Sequence, residues 1–442
     1  MLPLVILAAA IAILILLVVW AQVHPFLAFI LVSAAAALAL GMPPGDVAAA
    51  IRKGIGDIFG TLAIVIVTGA MLGRIVVESG AAQRIADTLV TACGRERTAW
   101  AMALTGFIVG IPLFYGVGFV LMVPIIFAVI SRYGLRPLVI GMPALASLSV
   151  AHGLLPPHPA PTALVAQFNA SLPLTLLYGI IIAVPALVLA GPVFGRMLGG
   201  IDVSPPPGLV SEPKSAAELP GVVVSFATAL LPVALLLAVP GATYLLGVTA
   251  PHDTRFAGPL KFLSDPDVVM VTSLAVATVT LGLWRGRSLP AAMNTFAAAI
   301  NDVGSILLVI AGSGAFKEVL VKSGVNASIA ASLEGLPLDP LLLAWLVTAA
   351  IRICVGSATV AGLTAAGILA PVAAAGKVDP NLLVLAIGSG SLVCSHVNDA
   401  AFWLFKEYFN VSIADTLKSW TVMETIVSIV GLVGVLILAR VV

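Results

Sequence analysis

Two stretches of this 442-residue sequence combine histidines and hydroxyl side chains with residues that break helices. The first, 146–169, is A-S-L-S-V-A-H-G-L-L-P-P-H-P-A-P-T-A-L-V-A-Q-F-N, and the second, 388–403, is G-S-G-S-L-V-C-S-H-V-N-D-A-A-F-W. Such side chains orient small ligands by hydrogen bonding, so the stretches predict a binding site for a small polar molecule. The candidate residues are Ser147, Ser149, His152, His158, Thr162, Ser395, His396, Asn398 and Asp399.

The titratable residues of these stretches have two open interpretations. Histidine exchanges a proton near neutral pH, and His396 and Asp399 are candidates for carrying a coupled proton. A buried histidine can instead bridge the two halves of a broken helix. His152 and His158 have no cysteine or acid nearby, so they do not predict a metal site. We assign no catalytic residue, metal or other cofactor.

Glycine-containing segments interrupt two other apolar runs, about 98–132 and about 340–375. The interruptions are G-I-P-L-F-Y-G-V-G at 110–118 and V-G-S-A-T-V-A-G at 355–362. Glycine lets a ligand approach the backbone closely, and the N–H groups that begin a helix bind anions. Candidate ligands of a carboxylate are therefore Gly116, Gly118, Ser357 and Thr359, although the two hydroxyls could instead cap helices.

Arg352 lies in the otherwise uncharged run 341–376. A charge inside a membrane is costly and usually faces a cavity or a partner. Arginine binds carboxylates through two parallel hydrogen bonds, so Arg352 is a candidate clamp for an anionic substrate. A structural ion pair with Asp399 or Glu407 is the alternative.

The composition indicates the medium in which these residues work. Hydrophobic residues make up 61% of the chain and charged residues 9%, whereas a soluble domain has about 25% charged residues. The chain is therefore predicted to be an integral membrane protein in contact with the lipid bilayer. The net charge of +1 does not indicate nucleic-acid binding. The three scattered cysteines do not predict a disulfide framework.

Prolines and glycines divide the apolar runs into predicted elements. A continuous helix cannot pass through P-P-H-P-A-P, and broken backbone at membrane depth is tolerated only where it lines a cavity or is buried in protein. The first half is therefore predicted to contain a broken helix at about 136–168. Each arm of 98–132 is too short to cross a bilayer, which predicts a re-entrant hairpin. The start M-L-P-L-V-I-L has no basic residue before Arg52, so the first span is expected to be retained.

The second half repeats the first. A shift of 244 residues pairs Gly60 with Gly304 and His152 with His396, and F-N-A-S-L-P-L-T at 168–175 matches F-N-V-S-I-A-D-T at 409–416. The predicted units are 1–198 and 221–442, joined by a proline-rich linker at 199–220. The second hairpin and broken helix fall at about 340–375 and 380–410.

The fold class that follows is an all-α polytopic membrane protein of two inverted repeats. Each repeat has about five transmembrane helices and one re-entrant hairpin with a broken helix, and the odd number of crossings inverts the second copy. This arrangement is typical of secondary transporters, with the site at the repeat interface. Basic residues are more numerous on the side that holds Arg84 and Arg95 than on the side that holds Lys53, so both termini are predicted to be periplasmic.

Four segments resemble the gluconate permease (gluconate:proton symporter) family of the ion transporter superfamily. They are G-I-P-L-F-Y-G-V-G-F-V-L-M-V-P-I-I-F (110–127), S-L-S-V-A-H-G-L-L-P-P-H-P-A-P-T-A (147–163), G-S-A-T-V-A-G-L-T-A-A-G-I (356–368) and G-S-G-S-L-V-C-S-H-V-N-D-A-A-F-W-L-F-K-E-Y-F-N (388–410). The resemblance extends over nearly the whole chain. It implies proton-coupled symport of gluconate or a related sugar acid in the bacterial inner membrane, by an elevator-type homodimer.

One position departs from the family pattern. Many members have L-F-F-E-V-G where this chain has L-F-Y-G-V-G, so Gly116 replaces an acid. If that acid couples the proton elsewhere, Asp399 or a histidine must do so here, or coupling differs. The alternatives are another small carboxylate such as D-serine or glycerate, or sodium as the coupling ion. An intramembrane enzyme with histidine bases is disfavoured, because the sequence has no serine–histidine or zinc pattern. A primary pump is disfavoured too, because the sequence has no nucleotide-binding G-x-x-x-x-G-K-[ST] loop.

Overall fold

A computed structural model describes residues 2–111, 115–201, 203, 214–245, 262–263, 265–324, 338–374, 376, 378–396 and 399–442. Every regular element within these ranges is helical. Asn398 and half of the predicted linker, 202 and 204–213, lie outside the described residues. The last residues of the linker contact the first half, because Arg84 donates hydrogen bonds to the carbonyls of Ala216 and Pro220 at 2.8 and 2.7 Å.

The helices of the first half are α1 (Leu2–Ile15), α2 (Pro25–Ala39), α3 (Pro44–Glu78), α4 (Ala81–Cys93), α5 (Thr98–Gly110), α6 (Tyr115–Tyr133), α7 (Pro137–Leu154), α8 (Pro159–Phe168), α9 (Leu172–Val188) and α10 (Phe194–Met197). Single π-helical turns, Leu16–Trp20 and Leu189–Val193, extend α1 and α9. A 3₁₀ turn, Arg95–Arg97, precedes α5.

The helices of the second half are α11 (Val222–Leu245), α12 (Pro266–Ala277), α13 (Leu289–Lys322), α14 (Pro340–Val355), α15 (Ala358–Ala374), α16 (Pro380–Gly390), α17 (Ala400–Phe409), α18 (Ile413–Thr416) and α19 (Val422–Leu438). Between them lie π-helical turns at Thr278–Gly282 and Leu417–Thr421 and a 3₁₀ turn at Leu283–Arg285.

Proline and aspartate determine where several of these helices begin. Proline occupies the first helical position of α14 and α16, where its missing N–H is not needed. The preceding aspartates, Asp339 and Asp379, accept hydrogen bonds from the N–H groups of Leu341 and Asn381. Each carboxylate satisfies a backbone donor that the helix cannot satisfy itself.

Five helical segments among the described residues are long and apolar enough to cross a membrane: Pro137–Phe168, Leu172–Met197, Pro266–Arg285, Leu289–Lys322 and Ile413–Leu438. The bent α3 adds a sixth, with 43° between Pro44–Gly60 and Ala63–Glu78. Shorter apolar helices, among them α14, α15 and α16, cannot span a bilayer alone by length.

The broken helix α7–α8 forms the centre of the protein. In its apolar window 94% of the residues are buried, against 33% for Pro266–Arg285. The peripheral helices expose large apolar side chains such as Ile181 and Ile429, as a lipid-facing surface requires. The polar residues of α7 therefore lie inside the protein.

Two long helices from the two halves, α3 and α13, pack along each other. Arg74 near the end of α3 pairs with Asp302 in the first half of α13 at 2.6 Å, while Lys53 pairs with Glu318, near the end of α13, at 3.3 Å. Residue numbers rise along one helix as they fall along the other, so the helices are antiparallel. These helices correspond under the 244-residue shift, and antiparallel packing is what inverted copies would give.

The two broken helices meet through glycine. A Cβ atom added at Gly388 of α16 would lie 2.2 Å from the carbonyl oxygen of Gly153 in α7. The same atom added at Gly304 of α13 would meet nothing within 4 Å. Backbone approaches backbone only at the first of these sites.

We expect Gly388→Ala to destabilise the protein by ~1–3 kcal/mol, because the added methyl group forces the two broken helices apart. Gly304→Ala is the matched control and should melt as the parent does. Thermal unfolding of the purified protein in detergent measures both variants. Equal melting of Gly388→Ala and the parent would contradict the close contact.

Candidate functional site

The start of α6, the α14–α15 connection and the two broken helices surround a cavity of about 400 Å³. This volume lies within the range of small-molecule sites, about 300–1,000 Å³. The residues predicted from sequence that line it are Gly116, Ser149, His152, Arg352, Ser357, Thr359 and Asp399. The cavity thus joins residues from both halves of the chain.

A buried ion pair dominates this cavity. Nη2 of Arg352 lies 2.5 Å from Oδ2 of Asp399, and the two side chains are 2% and 14% exposed. Nη1 of Arg352 donates to the carbonyl of Gly356. Nε is buried and has no hydrogen-bond partner among the described residues. Arg352 itself lies in the cavity wall.

Asp399 is held by several donors at once. Its Oδ2 accepts from Arg352 and also from the hydroxyl of Ser395 at 2.5 Å, and its Oδ1 accepts from the N–H of Ala401 at 3.0 Å. Asp399 is therefore the N-cap of α17 as well as the partner of Arg352. Ser395 is positioned in turn, because Nε1 of Trp420 donates to its hydroxyl at 2.8 Å.

Three helices begin at this cavity: α6, α15 and α17. Their first residues, including Tyr115, Ala358 and Ala400, lie in its wall. Free N–H groups and the helix dipole make such ends attractive to anions. The Ser357 hydroxyl accepts from the N–H of Val360 at 3.3 Å, so Ser357 caps α15 and lines the cavity too.

Other predicted residues lie outside the cavity wall. The Ser147 hydroxyl is 2.5 Å from the carbonyl oxygen of Ala103 in α5, and the Thr162 hydroxyl donates to the carbonyl of His158 at 2.7 Å. Gly118 is buried within the first turn of α6. Ser395 does not line the cavity but donates a hydrogen bond to Asp399, which does. The binding roles of these residues stay predictions.

The histidines fall into two classes of contact. Nε2 of His158 lies 2.8 Å from the carbonyl oxygen of Gly110, in the last turn of α5. Nε2 of His396 lies 3.1 Å from the carbonyl oxygen of Ile353, in the last turn of α14. Because a carbonyl only accepts, both imidazoles donate there. His158 and His396 thus make matching contacts in the two halves, whereas His152 faces the cavity, with its ring 5.4 Å from Tyr115.

The sequence analysis singled out neither Trp420 nor Glu424, which also line the cavity. Glu424 is 3% exposed and accepts a hydrogen bond from the Ser149 hydroxyl through Oε1. It is the lone acid in the apolar segment of α19. The reasoning that singled out Arg352, a charge inside an apolar run, would also have identified Glu424.

Comparison with known proteins decides the family. Residues 2–442 match the model of the GntP family permease. The chain is 46% identical over 441 residues to the high-affinity gluconate transporter of Escherichia coli (strain K12), covering 100% of both chains. This chain belongs to the GntP family of permeases.

A second GntP relative carries a different name: the Gnt-II system L-idonate transporter of Escherichia coli (strain K12) is 43% identical over 435 residues, with 98% of each chain covered. The crystal structure of the Alcanivorax borkumensis YdaH transporter has a TM-score of 0.66 at 16% identity, covering 95% of this chain and 98% of that one. That likeness establishes an all-helical membrane transporter fold.

These comparisons confirm the predicted gluconate permease family, and membership of a permease family makes the chain a multi-pass membrane transporter and not an enzyme. The repeat boundaries, the number of crossings and the site residues remain predictions for this GntP family member.

We expect Arg352→Gln to destabilise this permease, because Asp399 would keep a buried charge without its partner. Breaking such a pair typically costs about 3–5 kcal/mol. Adding Asp399→Asn should restore most of the lost stability, since asparagine also caps helices and carries no charge. Thermal unfolding in detergent compares the single and double variants.

Arg440→Gln is the control for this comparison, because Arg440 is exposed at the end of the chain. It should melt as the parent does. If Arg352→Gln also melted at the parental temperature, the pair would not be needed to stabilise the fold.

Proposed function

We propose that this GntP permease is a proton-coupled symporter that brings gluconate or a closely related sugar acid into the cell. The observation that carries the proposal is the buried Arg352, which lies in the wall of a cavity of about 400 Å³ where three helices begin. The relatives named for gluconate and L-idonate support the substrate class. Both compounds join a carboxylate to a chain of hydroxyl groups.

The substrate carboxylate binds at Arg352 in this proposal. Guanidinium groups recognise carboxylates through paired donors, and the first N–H groups of α15 add positive potential beside it. Asp399 neutralises Arg352 while the cavity is empty. The entering carboxylate competes with Asp399 for the same guanidinium, which ties substrate binding to the start of α17.

The hydroxyl groups of the sugar acid bind the remaining polar wall. His152 and Thr359 line the cavity with groups that both donate and accept, and Ser149, whose O–H is donated to Glu424, can accept. Gly116 carries no side chain, so the ligand can approach the backbone at the start of α6. A site that hydrogen-bonds several hydroxyls rejects analogues that lack them, since its own groups would be left unpaired.

Transport follows the elevator mechanism expected of two inverted repeats in a homodimer. The antiparallel packing of α3 and α13 supports the inversion, and the matching helix pairs α5–α6 and α14–α15 support two hairpins. Residues 1–198 and 221–442 are the proposed repeats. The excess of basic residues on one side supports an inner-membrane orientation with both termini in the periplasm.

Purified protein in proteoliposomes tests this function. We expect counterflow of gluconate and idonate but much weaker counterflow of glycerate and D-serine, whose shorter chains leave wall donors unpaired. Gluconate uptake should collapse when a protonophore is added under a fixed sodium gradient. Uptake that persists would indicate sodium coupling, and counterflow of serine alone would overturn the sugar-acid substrate.

Arg352→Lys should lower the kcat/KM for gluconate uptake by about 10- to 100-fold. Lysine keeps the charge but loses the planar pair of donors, and a hydrogen bond to a charged group contributes about 1.5–3 kcal/mol. Arg440→Lys is the matched control. Unchanged uptake kinetics of Arg352→Lys would remove Arg352 from the binding site.

A further inference from the structure

Glu424 lies in the cavity wall but has no part in the carboxylate site proposed above. It stands in the first turn of α19 and is 3% exposed. Oε1 accepts a hydrogen bond from the Ser149 hydroxyl in α7. Oε2 is enclosed and has no hydrogen-bond partner among the described residues. One oxygen of this carboxyl group thus accepts a hydrogen bond, and the other accepts none among the described residues.

A buried carboxylate oxygen that accepts no hydrogen bond is a favourable position for a proton. Burying a carboxylate without a partner is costly, and a proton on that oxygen removes that cost. Because the Ser149 hydroxyl already donates to Oε1, Oε2 is the oxygen whose burial a proton relieves most. Oε2 is also too enclosed for a substrate hydroxyl to reach in this conformation, whereas a proton needs no such space.

The two proton carriers predicted from the sequence are differently placed. Both oxygens of Asp399 accept hydrogen bonds, from Arg352 and Ser395 and from the N–H of Ala401. His396 donates to the carbonyl of Ile353 and does not line the cavity. Both oxygens of Asp399 are therefore already engaged, and His396 connects two elements.

The charged and titratable groups that face Glu424 come from four elements: Tyr115 of α6, His152 of α7, Arg352 of α14 and Asp399 before α17. With Glu424 ionised, the charges of Arg352, Asp399 and Glu424 leave the empty cavity with a single negative charge. A singly charged sugar acid that enters with a proton on Glu424 leaves that charge unchanged. Without the proton, the substrate carboxylate would bring a second negative charge into a poorly screened space.

We infer that Glu424 binds the proton that is transported with the sugar acid. The inference rests on the proposed symport. A proton from water adds to Oε2 when the cavity opens to one side, which converts the carboxylate into a carboxylic acid. It leaves from the same oxygen after the cavity opens to the other side, and no other bond changes. One proton accompanies each singly charged anion.

Glu424→Gln tests this inference in proteoliposomes, with gluconate as the substrate and a pH-sensitive dye inside the vesicles. The parent should accumulate gluconate under an inward proton gradient, take up protons when gluconate is added, and slow as the external pH rises. Failure of the parent in these assays would overturn the proposed symport itself. A proton-driven parent is the starting point for the variants.

With the parent driven by protons, Glu424→Gln should lose both gluconate accumulation and gluconate-induced proton uptake. Its residual gluconate exchange, and gluconate binding to the purified variant, should no longer depend on pH. Accumulation with proton uptake in Glu424→Gln would overturn the inference. So would a parental pH dependence of binding, or a pH dependence that survives in Glu424→Gln but disappears in His152→Asn.

Two further variants keep the test decisive. Ser149→Ala removes the donor to Oε1 and retains the carboxyl group, so it should shift the pH of half-maximal uptake, and an unshifted profile would contradict the inference. Glu407→Gln is the matched control, because Glu407 pairs with Lys406 at 2.7 Å and is 66% exposed outside the cavity. It should retain parental proton coupling.

Discussion

The buried pair of Arg352 and Asp399 constrains the rest of this structure. A charge inside a membrane protein is costly unless it is paired and hydrogen-bonded, and here that cost shapes several elements. At the end of α14 the Gly356 carbonyl accepts a hydrogen bond from the guanidinium, and Asp399 caps the start of α17. Ser395 donates to Asp399 and accepts from the indole N–H of Trp420. The break in the second apolar run is therefore also the means by which the pair is satisfied.

The two halves contribute unequally to the cavity. Among the described residues, the charged side chains in its wall, Arg352, Asp399 and Glu424, all come from the second half. The first half supplies uncharged polar groups, including Tyr115, Ser149 and His152. A shared backbone plan thus carries different chemistry in each copy, which suits a ligand with a charged head and a neutral polar chain.

The sequence predicted the local breaks well, because their causes are local. The described helices begin and end where proline, glycine and N-capping residues place them, as at Pro380 and Gly356, and Arg352 was conspicuous as a charge in an apolar run. Contacts between distant segments could not be predicted in this way. The matching roles of His158 and His396 depend on which helix end lies beside each ring, and the register of the repeat instead pairs His152 with His396. The contact of the Ser147 hydroxyl with the Ala103 carbonyl of α5 is likewise not visible in the local sequence, and its predicted ligand binding stays a prediction.

The hydrogen bond between Ser149 and Glu424 joins residues 275 positions apart in the chain. During synthesis α7 is made before α19, so the Ser149 hydroxyl of α7 has no Glu424 to donate to until α19 is made. In hydrocarbon each unsatisfied polar group costs several kcal/mol, so the packing of α7 depends on the later arrival of α19. A chain truncated before α19 would leave the Ser149 hydroxyl of α7 without this acceptor.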